Sequence, residues 1–262
     1  MTSMTKTLFG SAALCATLLA QPALAQPGHE GHAHAQKGAD KTWTEPYALD
    51  TCPVSGEQLG SMGDAIVKNY DGREVRFCCS GCIEDFEADK KAYFKQIDAK
   101  ITADQTRYYP MDTCIIGGDP LIEDGEDIAV EMVYGNRLIR LCCKGCKKDF
   151  KADPEKYIEI LDKAAAEAQR DNYPLDKCTV SGKALGSMGE PSEMVIAGRL
   201  MRFCCAGCEP RAKANPTRYL SKIDKAWQSK GMHMPGGMGK GAHGGMKSKG
   251  GKGHGNNDGH GH

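Results

Sequence analysis

Four cysteines recur in one spacing three times along this chain of 262 residues: Cys52, Cys78, Cys79 and Cys82; Cys114, Cys142, Cys143 and Cys146; Cys178, Cys204, Cys205 and Cys208. The first and third sets read C-x25-C-C-x2-C and the second reads C-x27-C-C-x2-C. Each copy opens on Tyr-x-x-Asp-x-Cys, at Tyr47, Tyr109 and Tyr173. Each closes on Asp89-Lys-Lys-Ala-Tyr93, Asp153-Pro-Glu-Lys-Tyr157 or Asn215-Pro-Thr-Arg-Tyr219, with Ile97, Leu161 or Ile223 four positions on. A period of about 60 residues is longer than that of the usual solenoid repeats and predicts three small domains in tandem. Units of that size, in a chain with only 6% aromatic residues, bury too little apolar surface to be stable unaided, so a metal or disulfides must staple them.

Within a copy, Ala65 to Phe77 alternates and breaks at Asp71-Gly72, a strong hairpin signal; Tyr134-Gly-Asn-Arg137 and Ala197-Gly-Arg199 mark the same turn later. The extra length of the second copy is expected in this hairpin region. After the cysteine cluster, Asp-Pro and Asn-Pro place an N-cap and an N1 proline at the head of a helix. That helix sets Tyr157 and Leu161, or Tyr219 and Ile223, one turn apart on a buried face. The expected fold class is α+β: three small units in tandem, each running Cys loop, β-hairpin, Cys cluster, helix, between termini without a packed core.

The flanks add a compartment. Lys6 precedes a small, apolar run from Thr7 to Ala20, and Pro22-Ala-Leu-Ala25 has small residues at −3 and −1, which reads as a secretory signal peptide cut after Ala25. That run is too short to span a bilayer and no other reaches about 18 apolar residues, so no membrane span is expected in the mature chain. Cys15 follows Leu14 rather than a small residue and sits early in the apolar run, so it reads as a signal-peptide residue lost on cleavage rather than as a lipid anchor. Lysine plus arginine equals aspartate plus glutamate at 34 each, so no net field draws in nucleic acid or an anionic membrane. The expected division is signal peptide 1–25, leader 26–46, units 47–104, 105–172 and 173–230, and tail 231–262.

A loop cysteine carried by a hairpin against a cysteine cluster at a helix start is how small treble-clef-like metal sites are assembled, and thiolates suit soft or borderline ions. The residues Cys52-Pro-Val-Ser-Gly56, Tyr70-Asp-Gly-Arg73, Phe77-Cys78-Cys-Ser-Gly-Cys82, Phe86 and the downstream Asp/Asn-Pro-x-x-Tyr resemble the YHS/TRASH family of small metal-binding domains. The resemblance runs from about Tyr47 to Ala226. It implies a treble-clef-like fold, binding of copper or other heavy metals, and ligand positions at Cys52, Cys78 and Cys82, at Cys114, Cys142 and Cys146, and at Cys178, Cys204 and Cys208. Where a zinc-type relative would carry a second cysteine three residues after the first, this chain has Ser55, Gly117 and Ser181. The extra cysteine is the middle one of the cluster, Cys79, Cys143 or Cys205. With it the shell has four thiolates and suits zinc; without it three thiolates suit Cu(I), and both remain open here. In the third copy Ala212 replaces Phe86 and Phe150, which bears on packing more than on ligands.

Two other readings compete. An even set of cysteines in an oxidising compartment commonly forms disulfides, which would make the chain a stapled interaction or scaffold protein. Cys79-Ser-Gly-Cys82 is also a C-x-x-C at a helix start, the thiol oxidoreductase arrangement, but the units are too short for a thioredoxin framework. No nucleophile–base pair, phosphate-cradling loop or paired carboxylates point to an enzyme.

All eight histidines lie outside the cysteine units: His29, His32 and His34 in the leader, and His233, His243, His254, His260 and His262 in the tail. Met232, Met234, Met238 and Met246 accompany the latter among glycines. Thioether favours Cu(I) and imidazole suits Cu(II), Ni(II) or Zn(II), which makes these auxiliary metal ligands; the alternative is a solubilising linker. The acidic run Glu123-Asp-Gly-Glu-Asp127 lacks calcium-loop spacing and reads as a solvated turn. The sequence thus predicts a periplasmic metal-binding protein, with copper first and zinc second. Its expected partners are metal ions and a metal exporter or recipient metalloenzyme.

Overall fold

The computed structural model describes residues 45–231. In the first unit, strands β1 (Ile66–Tyr70) and β2 (Arg73–Phe77) form an antiparallel hairpin, followed by helices α1 (Gly81–Ala88) and α2 (Lys90–Gln105). The second unit has β3 (Ile122–Glu123), β4 (Glu126–Asp127), β5 (Val130–Tyr134), β6 (Arg137–Leu141), α3 (Cys146–Ala152) and α4 (Pro154–Arg170). The third has β7 (Ser192–Ile196), β8 (Arg199–Phe203), α5 (Glu209–Ala214) and α6 (Pro216–Ser229). The expected mixed architecture is present, with one addition: the cysteine cluster leads into a short helix of its own before the long one.

The hairpins form where the turn residues allow. Asp71 and Gly72, Asn136 with Gly135, and Ala197 and Gly198 all have positive φ, the backbone twist a two-residue hairpin turn demands. The two extra residues of the second unit do not enlarge this hairpin, whose strands are five residues each as in the other units. They form the β3–β4 ladder, turned at Asp124-Gly125, so the acidic run read as a solvated turn is a small hairpin preceding the main one. Asp89 and Asp153 cap the long helices by accepting from the backbone N–H of Ala92 and Lys156, whereas Asn215 makes no side-chain cap bond.

Each unit has its own apolar core, centred on Phe77 and Phe86 in the first, Leu141 and Phe150 in the second, and Phe203 and Trp227 in the third. Ala212 is fully buried at the position of the missing phenylalanine, and the same core gains Trp227 where the other units have Ile101 and Ala165. A guanidinium–carboxylate pair ties hairpin to helix in every unit: Arg73 to Asp98 at 2.6 Å, Arg137 to Asp162 at 2.7 Å and Arg199 to Asp224 at 3.0 Å.

The three units lie in one compact body and share interfaces. Helix α2 packs on β5 and β6 of the second unit, and α4 packs on β7 and β8 of the third. Arg199 of the third unit pairs with Asp104 of α2 at 2.7 Å. Arg76 of the first unit donates to the carbonyls of Ala214 and Lys213, at 2.6 and 3.1 Å, closing contacts from the third unit back to the first. Gly198 is pressed against this junction: a Cβ there would stand 3.2 Å from Cβ of Tyr108. Glu45, buried, sits where segments of two units meet, accepting from the Ala197 N–H and lying 3.6 Å from the Arg137 guanidinium. Among the described residues, no helix is long and apolar enough to cross a membrane.

Candidate metal centres

Two structural elements bring the cysteines together. The first cysteine of each unit sits on a tight loop in which its N–H and C=O are both bound. Cys52 N–H donates to Glu57 O at 2.8 Å, and Cys52 O accepts from Gly56 N–H at 3.0 Å. Cys114 and Cys178 repeat this with Asp119 and Gly118, and with Lys183 and Gly182. The glycine adopts φ of 75°, 76° and 74° in the three copies, a left-handed conformation that explains Gly at that position. The other cysteines follow the second hairpin strand, so Cys78 and Cys142 continue β2 and β6 directly. Cys82 and Cys146 fall in the first turn of α1 and α3, and Cys208 ends the short 3-10 turn before α5.

The result is three triads, Cys52/Cys78/Cys82, Cys114/Cys142/Cys146 and Cys178/Cys204/Cys208, whose sulfurs all lie within 4.8 Å of one another. The Sγ–Sγ separations across the clusters are 3.7 Å for Cys78–Cys82, 3.6 Å for Cys142–Cys146 and 3.9 Å for Cys204–Cys208. Metal–sulfur bonds of about 2.3 Å place two thiolates on one ion about 3.8 Å apart, whereas a disulfide closes to about 2.05 Å. The spacing fits a shared ion, and all twelve described cysteines are free. The middle cysteines stand beside the triads rather than within them: Cys79 and Cys143 each lie 3.5 Å from the last cysteine of their triad, and Cys205 lies 4.0 Å from Cys204. Cys79 and Cys205 are half-buried and Cys143 is exposed, while the first and last cysteines of each triad are buried.

The local electrostatics divide the thiols. Burial opposes ionisation of Cys52, but hydrogen bonds from the Cys78 amide and from the hydroxyl and amide of Ser55 outweigh it and bring the thiol down to about 7. Burial is outweighed likewise at Cys178, where the Ser181 hydroxyl and amide and the Cys204 amide bring it to about 6. Cys114 is also lowered, against its burial, by the amides of Gly117, Cys142 and Ile116. At the other end of each triad, burial and the neighbouring thiols push Cys82 and Cys208 up to about 12 and Cys146 to about 11. Each site therefore pairs a first cysteine that ionises more easily than a free thiol with a buried thiol that ionises only when a cation arrives.

Sequence reasoning located every triad member. It missed the hydroxyls of Ser55 and Ser181, each 3.2 Å from the second cysteine sulfur, and the Asp119 carboxylate that stands there in the second unit. The signal was present in the Ser, Gly, Ser alternation three residues after the first cysteine. The auxiliary ligands expected in the leader and tail, from His29 to His34 and from Met232 to His262, lie outside the described residues.

What the fold and sites define is a chain of tandem small mixed α and β units, each presenting a cysteine triad positioned to hold a metal ion. No family model, curated protein or solved structure matches the chain.

Proposed function

We propose that this protein is exported to the periplasm and there binds soft metal ions, copper(I) first and zinc second, for sequestration, resistance or delivery to an exporter or metalloenzyme. The observation that carries this reading is the threefold recurrence of a thiol triad at the sulfur spacing an ion requires. The YHS/TRASH resemblance and the signal-peptide pattern of residues 1–25 support it, as do the histidines and methionines of the leader and tail. In this reading the tail is a glycine-rich tether that keeps weaker imidazole and thioether ligands at high effective concentration near the triads, and the units act by binding rather than by catalysis.

The test is thiol counting on protein taken from the periplasm without reductant, denatured in chelator, alongside Cu(I) titration of the reduced chain against a competing chelator. Alkylation of the unit cysteines and thiolate-linked uptake of about three Cu(I) per chain are expected. Cysteines that all resist alkylation would instead make the chain a disulfide-stapled scaffold.

A further inference from the structure

The second cysteine site departs from its neighbours in a way the shared spacing conceals. In the first and third units the Ser55 and Ser181 hydroxyls lie against the second cysteine sulfur and accept from the backbone N–H two residues on, at 3.2 Å from Glu57 and 3.3 Å from Lys183. The second unit has Gly117 there, and the vacated space is filled: a Cβ on Gly117 would stand 2.8 Å from Oδ2 of Asp119 and 3.6 Å from Sγ of Cys142. Asp119 occupies the register of Glu57 and Lys183, yet, exposed as it is, it turns its carboxylate towards Cys142 and accepts from that thiol at 3.2 Å. In the third unit the equivalent Lys183 reaches outward to Met188 Sδ at 3.8 Å.

We propose that the middle unit is a four-donor site, Cys114, Cys142, Cys146 and the Asp119 carboxylate, selective for a divalent ion such as Zn(II), while the flanking units are three-thiolate sites selective for Cu(I). The proposal rests on the metal-binding reading above and refines it. Carboxylate oxygen is a good donor to zinc and a poor one to a soft monovalent ion, whereas three thiolates alone satisfy the latter. A sulfur and an oxygen bound to one zinc ion stand about 3.6 Å apart, near the 3.2 Å between Cys142 and Asp119, but Asp119 lies outside the cluster formed by the three sulfurs and must swing towards Cys114 and Cys146 to complete the shell. On binding, the Cys142 proton leaves to solvent and both groups become ligands. A divalent ion with four anionic donors and a monovalent ion with three leave the same residual charge, so neither site carries a larger uncompensated burden than the other.

The loops that follow the first cysteine repeat this division. In the flanking units they run Gly60-Ser-Met62-Gly63 and Gly186-Ser-Met188-Gly189, with Met62 67% and Met188 55% exposed. The same stretch of the middle unit is the acidic β3–β4 hairpin. Soft thioethers thus accompany the hydroxyl-bearing sites, and hard oxygens accompany the carboxylate-bearing one.

The test uses the full-length reduced chain and Co(II) as a spectroscopic stand-in for Zn(II), reading the thiolate-to-cobalt charge-transfer band that tail histidines and methionines cannot produce. One equivalent of Co(II) should saturate that band and be displaced by one equivalent of Zn(II), while about three Cu(I) ions bind. Asp119→Asn should weaken the Co(II) site by about tenfold or more and leave Cu(I) stoichiometry unchanged. The double variant Gly117→Ser with Asp119→Lys gives the middle unit a residue pair that already folds in the third unit, and it should abolish the Co(II) band while keeping Cu(I) uptake. Three equal Co(II) sites, or variants with the wild-type cobalt spectrum and affinity, would overturn this proposal and leave the metal-binding reading standing. A reduced chain that binds neither ion would remove both.

Discussion

The side-chain amide of Gln169, at the end of α4, meets the backbone of Leu200 as a neighbouring strand would: Oε1 accepts from Leu200 N–H at 2.9 Å, while Nε2 donates to Gly198 O at 2.8 Å. Gln105, at the end of α2, makes the same pair with Leu138 N–H and Asn136 O, at 2.9 and 2.8 Å. Both glutamines are buried, so truncation strands a backbone donor and acceptor without water. Gln169→Ala and Gln105→Ala should each cost about 2–4 kcal/mol in urea unfolding of the metal-free protein, with amide exchange accelerated in the following hairpin. A change below about 0.5 kcal/mol would mean that solvent takes the place of the amide.

The junction at Glu45 predicts a pH dependence. Burial raises its carboxyl from 4.5 to about 7, against the opposing pull of Arg137 and the Ala197 N–H. A carboxyl raised in the folded state contributes stability that is complete below its unfolded value and lost as pH rises through the folded one. Between pH 4.5 and 7 the stability difference between wild type and Glu45→Gln should therefore fall, by on the order of 3 kcal/mol. Taking the difference removes the cysteine titrations common to both proteins. A flat difference curve would show that Arg137 keeps Glu45 ionised across the range.

Metal binding should release fewer than three protons per ion at neutral pH. At neutral pH Cys178, lowered to about 6, has largely shed its proton and Cys52, lowered to about 7, has shed about half, whereas Cys82 and Cys208, at about 12, keep theirs. Affinity should rise with pH from 6 to 8, with a slope that shrinks across the range as Cys52 and Cys178 lose their own protons. Calorimetry in buffers of different ionisation enthalpy measures the number directly, and release of a full three would show that hydrogen bonding leaves the first cysteine protonated.

The two cluster positions in the first unit should respond unequally to replacement. Cys82 belongs to the triad and Cys79 stands beside it, so Cys82→Ser should weaken Cu(I) binding at that site by about a hundredfold and Cys79→Ser by less than tenfold. Competition titrations on the full-length variants give the comparison. Equal losses would place Cys79 among the ligands and move the preferred ion towards zinc.

Much of a unit was legible because its signals are local. Asp71-Gly72 specifies a turn, Asp153-Pro154 starts a helix, and cysteine spacing locates a cluster. The contacts between units were not legible, because they depend on where a helix ends relative to a hairpin 30 residues away in sequence. Gln105 and Gln169 each stand twelve residues after Tyr93 and Tyr157, a recurrence visible in the sequence, yet nothing about a polar residue at a helix end announces that it will be buried. Asp119 was hidden for the opposite reason. Read alone it is one acidic residue in an exposed loop, and only the absence of a side chain at Gly117 directs it onto Cys142.

The packing of each long helix on the next hairpin gives the array a direction. If the chain is delivered N-terminus first, each new hairpin would emerge to find the preceding helix, with its terminal glutamine, already in place as a template. The last helix ends at Ser229, and Gly231 stands where the other units carry that glutamine, so the third unit lacks the amide pair that the first two present to their neighbours. Loss of the third unit should leave the first two with their templates intact, whereas loss of the first would deprive the second of the surface on which it assembles. The array would therefore assemble in the order of its sequence.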